Sequence, residues 1–112
     1  MNTFIARGGA RVEFATLSGQ GARDYNEDAC GYWTSDAASC FVVCDGAGGH
    51  GGGEVASETA VRTLLSAFSS SPSLEPAHIS GLIAQTDAAI RYGQKLAGSL
   101  SKMSATVTAL FL

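Results

Sequence analysis

Between Cys40 and Ser57 the chain reads CFVVCDGAGGHGGGEVAS, and this stretch restricts the folds open to it more than any other. Phe41-Val42-Val43-Cys44 is an apolar run rich in strand formers and too short for a helix. A carboxylate, Asp45, stands where the run stops. Six glycines follow between Gly46 and Gly53, and from about Gly53 the apolar spacing turns helical. A strand that delivers an acid into a glycine loop ahead of a helix has the layout of a binding site. Glycine lets a ligand approach the backbone, and a helix N-terminus offers free N–H donors to anions. The stretch therefore poses a choice: Asp45 holds a metal, or the glycines hold a dinucleotide.

The rest of the composition narrows the partners. A net charge of −3 without a basic stripe argues against nucleic acid, since nothing replaces the counterions of a phosphate backbone. No apolar segment approaches the roughly 20 residues of a membrane span, and the start, MNTFIARGGARVEF, lacks the apolar stretch of a secretory signal. The expectation is a cytoplasmic protein. Cys30, Cys40 and Cys44 are odd in number and fit no disulfide framework. Cys40 and Cys44 share a face if the segment is a strand, which suits buried free thiols. A zinc site made from them and His50 would need a fourth ligand and a different spacing.

In chain order, Arg11–Leu17 alternates loosely and suits a first strand, and Ser18–Gly21 a turn. Ala22–Asp28 is a dense charged loop that packing does not account for. Ala29–Thr34 reads as a second strand, leading through a loop at Ser35–Ser39 into the strand Cys40–Cys44. Trp33 reads as core or sheet cover. After the glycines, Val55, Ala56, Ala60, Leu64, Leu65 and Phe68 form one helical stripe, ended by the loop Ser69–Ser73. Pro76 opens a second helix, whose stripe of Ile79, Leu82, Ile83, Thr86, Ala89, Ile90 and Leu96 fades near Gly98. Both helices read as covers lying on a sheet. Ser104–Leu112 is a strand by composition, and it ends on Leu110-Phe111-Leu112 with no turn and no polar cap. The expectation is a chain cut short.

The acids fall in two places, Glu27-Asp28 and Asp45, separated by one hairpin. Antiparallel pairing would bring them to one rim of a sheet. Three carboxylates gathered there repel one another unless a hard divalent cation sits between them, and Mg²⁺ or Mn²⁺ favours such ligands. Arg23, just ahead of the acids, is the natural clamp for phosphate.

These residues resemble a known family. Arg23-Asp24-Tyr25-Asn26-Glu27-Asp28 is similar to the R-x-x-N-E-D motif of the metal-dependent Ser/Thr protein phosphatases, the PPM or type 2C family. Val43–His50, running on to Gly53-Glu54-Val55-Ala56, resembles the D-G-x-G-G-H…G-E-x-A motif of its bacterial branch. Met103–Ala109 resembles the M-G-T-T-x-T-A strand of that branch, with Ser104 and Ala105 departing from it. The resemblance covers nearly all of residues 1–112, which would form the N-terminal part of such a domain.

The resemblance implies an α+β fold: an antiparallel β-sandwich flanked by helices (αββα), incomplete in this chain, with a two-metal centre at one rim. It implies hydrolysis of phosphoserine and phosphothreonine in proteins, opposite a Ser/Thr kinase, with two Mn²⁺ or Mg²⁺ ions. Carried over, Asp45 bridges both metals, the Gly46 carbonyl ligates one, Glu27 and Asp28 hold metal-bound waters, and Arg23 binds the substrate phosphate. A water between two cations has its pKa pulled toward neutrality and can attack phosphorus directly. Some members carry a His directly after the D-G pair; here that position is Ala47, and His50 reads as a turn or supporting residue. Glu54 reads as structural, an acid in a first helical turn. The family's later motifs, G-D-S-R, S-D-G and G-x-D-N, have no counterpart here, so the isolated chain is expected to be weak or inactive unless a partner supplies the missing half. Two other readings remain: a catalytically inactive phosphatase-like binding module, and a dinucleotide-binding domain. The second rests on Gly46-Ala47-Gly48-Gly49-His50-Gly51, which satisfies G-x-G-x-x-G, yet no second strand with an acid follows at the required distance.

Overall fold

Strand β4, Ser39–Ala47, is the centre of the molecule. A computed structural model describes residues 2–6, 8–21 and 26–112. It places β4 between β3, Asp28–Thr34, and β5, Ser104–Phe111, with both neighbours antiparallel. The side chains of β4 alternate. Cys40, Val42, Cys44 and Gly46 are buried on one face, while Val43, Asp45 and Ala47 are exposed on the other. Register carries this parity to both neighbours. Trp33, Gly31, Ala29, Val107, Ala109 and Phe111 share the buried face.

Helix α1, Gly52–Ser70, covers that face. Its buried stripe of Ala56, Ala60, Leu64 and Phe68 repeats every four residues, so one side of the helix meets Cys40, Val42 and Cys44. The fit is close at Gly31, where a Cβ would stand 2.8 Å from Leu65 Cδ1. Trp33 packs edge-on against Phe68 at 5.8 Å, as expected of a core aromatic. Cys40 and Cys44 are buried free thiols, and burial pushes each pKa up from 9.0 to about 11.

Helix α2, Pro76–Gln94, begins at its proline as the sequence predicts. It differs from the expected sheet cover, because it packs on α1 and meets β5 only across a groove of about 420 Å³. The physical reason is its narrow apolar stripe. Leu82 and Thr86 are buried, while Ile83 is 43 % exposed and Leu96, beyond the helix end, 64 %. The Thr86 hydroxyl donates to the Leu82 carbonyl at 2.8 Å, which satisfies it inside the core. A single turn, Gly98–Leu100, leads from α2 toward β5, and Gln94 Nε2 donates to the Met103 carbonyl at 2.8 Å.

The other face of the sheet is covered at one end by a two-stranded sheet of β1, Asn2–Ile5, and β2, Arg11–Phe14. Phe4 and Phe14 pack on Phe41 at 5.5 and 4.8 Å, and Phe14 meets Tyr32 edge-on at 4.6 Å. Two antiparallel sheets thus face each other with helices outside, as the sequence implies. The expected strand Arg11–Leu17 is shorter than predicted, and β1 was not predicted at all. β3 starts one residue earlier than expected, and β4 runs on through Asp45 to Ala47, so the acid sits inside the strand rather than after it.

Candidate functional site

Asp28 and Asp45 are direct register partners, the last pair of the β3–β4 ladder. Residues paired this way put their side chains on the same face with Cβ atoms about 5 Å apart. Both acids are exposed, on the face that α1 does not cover. Like charges placed opposite each other destabilise a sheet. The ion pairs found among the described residues, Arg11–Glu13 and Arg91–Asp87, leave both out.

Glu27 takes the other side. It precedes Asp28, so strand parity turns it toward α1, and a Cβ built on Gly53 would stand 2.8 Å from its Oε1. Its carboxylate therefore lies in the first turn of α1, beside N–H groups that no side chain caps, where the helix dipole favours a negative charge. Its carbonyl accepts a hydrogen bond from the Gly46 N–H at 3.0 Å. Gly46 is buried, and a Cβ there would overlap the Gly53 carbonyl. The glycines at 46 and 53 are thus what lets the end of β4 lie directly beneath the start of α1.

Among the described residues no three His, Cys, Asp or Glu side chains converge as a metal-binding group. The structure brings two of the predicted acids together, Asp28 and Asp45, and sets the third, Glu27, against the helix. Arg23 lies outside the described residues. His50 is exposed with φ 49°, the one positive φ at a non-glycine among the described residues, which makes it a turn residue. Glu54 is exposed in the first turn of α1.

Two residues with no role assigned from sequence complete the rim. Asn26 Oδ1 accepts the Asp28 N–H at 3.1 Å, while its Nδ2 donates to Ser18 Oγ at 2.9 Å. It fixes the backbone where β3 begins. An Asn two residues ahead of a strand acid is a known side-chain turn, so this signal was available in the sequence. Thr106, opposite Asp45 on β5, accepts the Asp45 N–H on Oγ1 at 3.2 Å. Only the register reveals that contact.

As a cation site the pair fits a hard dication. Mg²⁺ and Mn²⁺ favour carboxylate oxygens, and a small dication keeps several waters while needing only one or two carboxylates. A dinucleotide does not fit. Its fingerprint belongs to a parallel strand–helix–strand unit, and both neighbours of β4 run antiparallel.

The architecture is that of an α+β protein whose facing antiparallel sheets carry helices outside and an acid pair at one rim. A family model described as Protein phosphatase 2C matches residues 18–112, and the chain belongs to that family. A bacterial serine phosphatase bearing an R161E mutation is similar at 26 % identity and TM-score 0.75, over 86 % of this chain and 46 % of that one. Stp1, the Ser/Thr phosphatase of Staphylococcus aureus, is 26 % identical with TM-score 0.70, over 93 % and 46 %. PstP/Ppp of Mycobacterium tuberculosis is 26 % identical with TM-score 0.61, over 81 % and 37 %. The chain thus spans less than half the length of these solved phosphatases. A comparison with curated proteins gave no match.

Proposed function

We propose that this chain carries the N-terminal metal-binding half of a phosphatase acting on phosphoserine and phosphothreonine in proteins. The single observation that carries the reading is the Asp28–Asp45 register pair, two exposed carboxylates opposite each other at the rim of the sheet. Asp45 and the Gly46 carbonyl would hold Mn²⁺ or Mg²⁺ directly, with Asp28 and Glu27 accepting hydrogen bonds from the ion's waters. In this reading Glu27 acts from the helix side, where its carboxylate lies against Gly53. The chemistry that such ions would supply when bound is a lowered pKa for a water on the metal, making it a nucleophile near neutral pH. Arg23 would bind the substrate phosphate with its planar fork. The open face around the acids leaves room for a phosphorylated side chain on an opposing protein. The opposing enzyme would be a Ser/Thr kinase and the setting the cytoplasm. No helix among the described residues is long and apolar enough to cross a membrane.

The test is Mn²⁺-dependent hydrolysis of a chromogenic phosphate ester by the chain and by Asp45→Asn. Turnover that needs the metal and disappears in the variant supports the phosphatase. A second reading is favoured by the absence, among the described residues, of three metal-ligating side chains that converge. There the chain binds metal without turning over substrate and serves as a binding module. Saturable Mn²⁺ binding with no hydrolysis distinguishes it.

A further inference from the structure

We infer that Lys95 and Lys102 form a patch that recognises acidic side chains flanking the phosphorylated residue, so that the substrates are phosphoproteins modified within acidic segments; this rests on the phosphatase reading above. Charge is unevenly spread along the chain. All ten acids lie before Ala88, whereas Ala88–Leu112 carries Arg91, Lys95 and Lys102 and no Asp or Glu. Arg91 is paired with Asp87 at 2.7 Å, one turn back on the same helix. Lys95 and Lys102 are exposed, and no ion pair among the described residues involves either. Gln94 Nε2 donates to the Met103 carbonyl at 2.8 Å, which ties the residue before Lys95 to the residue after Lys102. Met103 is 1 % exposed and packs against the glycine loop. A Cβ on Gly48 would stand 2.6 Å from Met103 Cα and 3.1 Å from the Lys102 carbonyl oxygen. Gly48 lies two residues past Gly46, whose carbonyl is the proposed metal ligand. Register agrees, since Ala47 pairs with Ser104 and Asp45 with Thr106. Lys102 therefore stands four residues from the partner of Asp45, at most about 14 Å along the chain. An extended substrate covers that span in four or five residues. In the phosphatase reading Asp28 and Asp45 face the cation, which leaves the two ammonium groups to meet charge that arrives with the substrate. Complementary charge of this kind sets the choice of partner more than raw affinity.

The experiment measures fluorescence anisotropy of labelled peptides that carry a non-hydrolysable phosphonate analogue of phosphothreonine, with the whole chain and Mn²⁺. One peptide has Glu at several positions within about five residues of the analogue, and a second has Gln in their place. Wild type is expected to bind the acidic peptide about three- to tenfold more tightly at low salt, and the difference should shrink as added salt screens it. Lys95→Gln with Lys102→Gln should bring the two peptides level and leave affinity for the Gln peptide as in wild type. Lys95→Glu with Lys102→Glu should favour a third peptide with Lys at those positions. Arg11→Gln, an exposed site on β2, lowers the net charge away from the patch and should keep the wild-type preference. An undiminished preference in the paired Gln variant, or no reversal in the paired Glu variant, overturns the role of the lysines and leaves the phosphatase reading standing. Loss of the preference in Arg11→Gln also overturns it, since net charge rather than the patch would then decide. No Mn²⁺-dependent binding of the Gln peptide by wild type, or equal binding by Asp45→Asn, overturns the phosphatase reading and this proposal with it.

Discussion

Asp45 and Gly46 show how adjacent residues can be constrained by opposite faces of one strand. Asp45 faces solvent beside a second acid, so without an ion its charge is a cost to the fold. Asp45→Asn is therefore expected to raise the metal-free unfolding temperature slightly, by an amount corresponding to roughly 0.2–1 kcal/mol for a like-charged cross-strand pair. On adding Mn²⁺ the wild type alone should gain stability, since binding to the folded state adds to it. A calorimetric scan with and without Mn²⁺ checks both. Gly46 faces inward, where a Cβ would overlap the backbone of Gly53. Backbone cannot swing aside as a side-chain tip can, so Gly46→Ala is expected to cost about 3 kcal/mol, the upper range for overpacking. Urea unfolding measures it. The acid and the glycines were legible because their chemistry is local. The opposite placements of Glu27 and Asp28 follow from strand parity, which becomes definite only once β3 is known to start at Asp28.

At the scale of elements, β4 and α1 were the most legible, because an apolar run followed by a four-residue stripe admits few readings. α2 was legible as a helix but not in its placement. Its periodicity says that one side is apolar, and only packing says that this side meets α1 rather than the sheet. β1 went unread because NTFI is short and carries no alternation, although Gly8-Gly9, with φ of 85° and 86°, forms the glycine turn that joins it to β2. Two substitutions separate core from helix backbone. Leu64 is fully buried between α1 and the sheet, and Leu64→Ala is expected to cost about 2–5 kcal/mol in chemical denaturation. Gly81 lies within α2 with open space where a Cβ would go, so Gly81→Ala should stabilise the chain by about 0.5–1 kcal/mol.

For the molecule as a whole, the two buried thiols set an alkaline limit. Their folded pKa values lie near 11 against 9.0 for a free thiol, so the folded state holds the proton more tightly than the unfolded chain does. The stability this contributes is fully present below pH 9 and is lost as pH rises through 11. Unfolding temperatures measured across that window should fall, and Cys40→Ala with Cys44→Ala should flatten the fall. The sandwich was legible as a family trait. Neither the covering of one face at its aromatic end nor the exposure of Val43 and Leu110 on that same face could be read without the register.

Strand β5 is one of the two outer members of the three-stranded sheet among the described residues, and its eight residues contain no charge and no proline. Such a margin lacks the features that usually discourage chain-to-chain hydrogen bonding. Concentrated solutions of the isolated chain should therefore scatter light increasingly with time, and a lysine introduced at Thr108 should keep them clear.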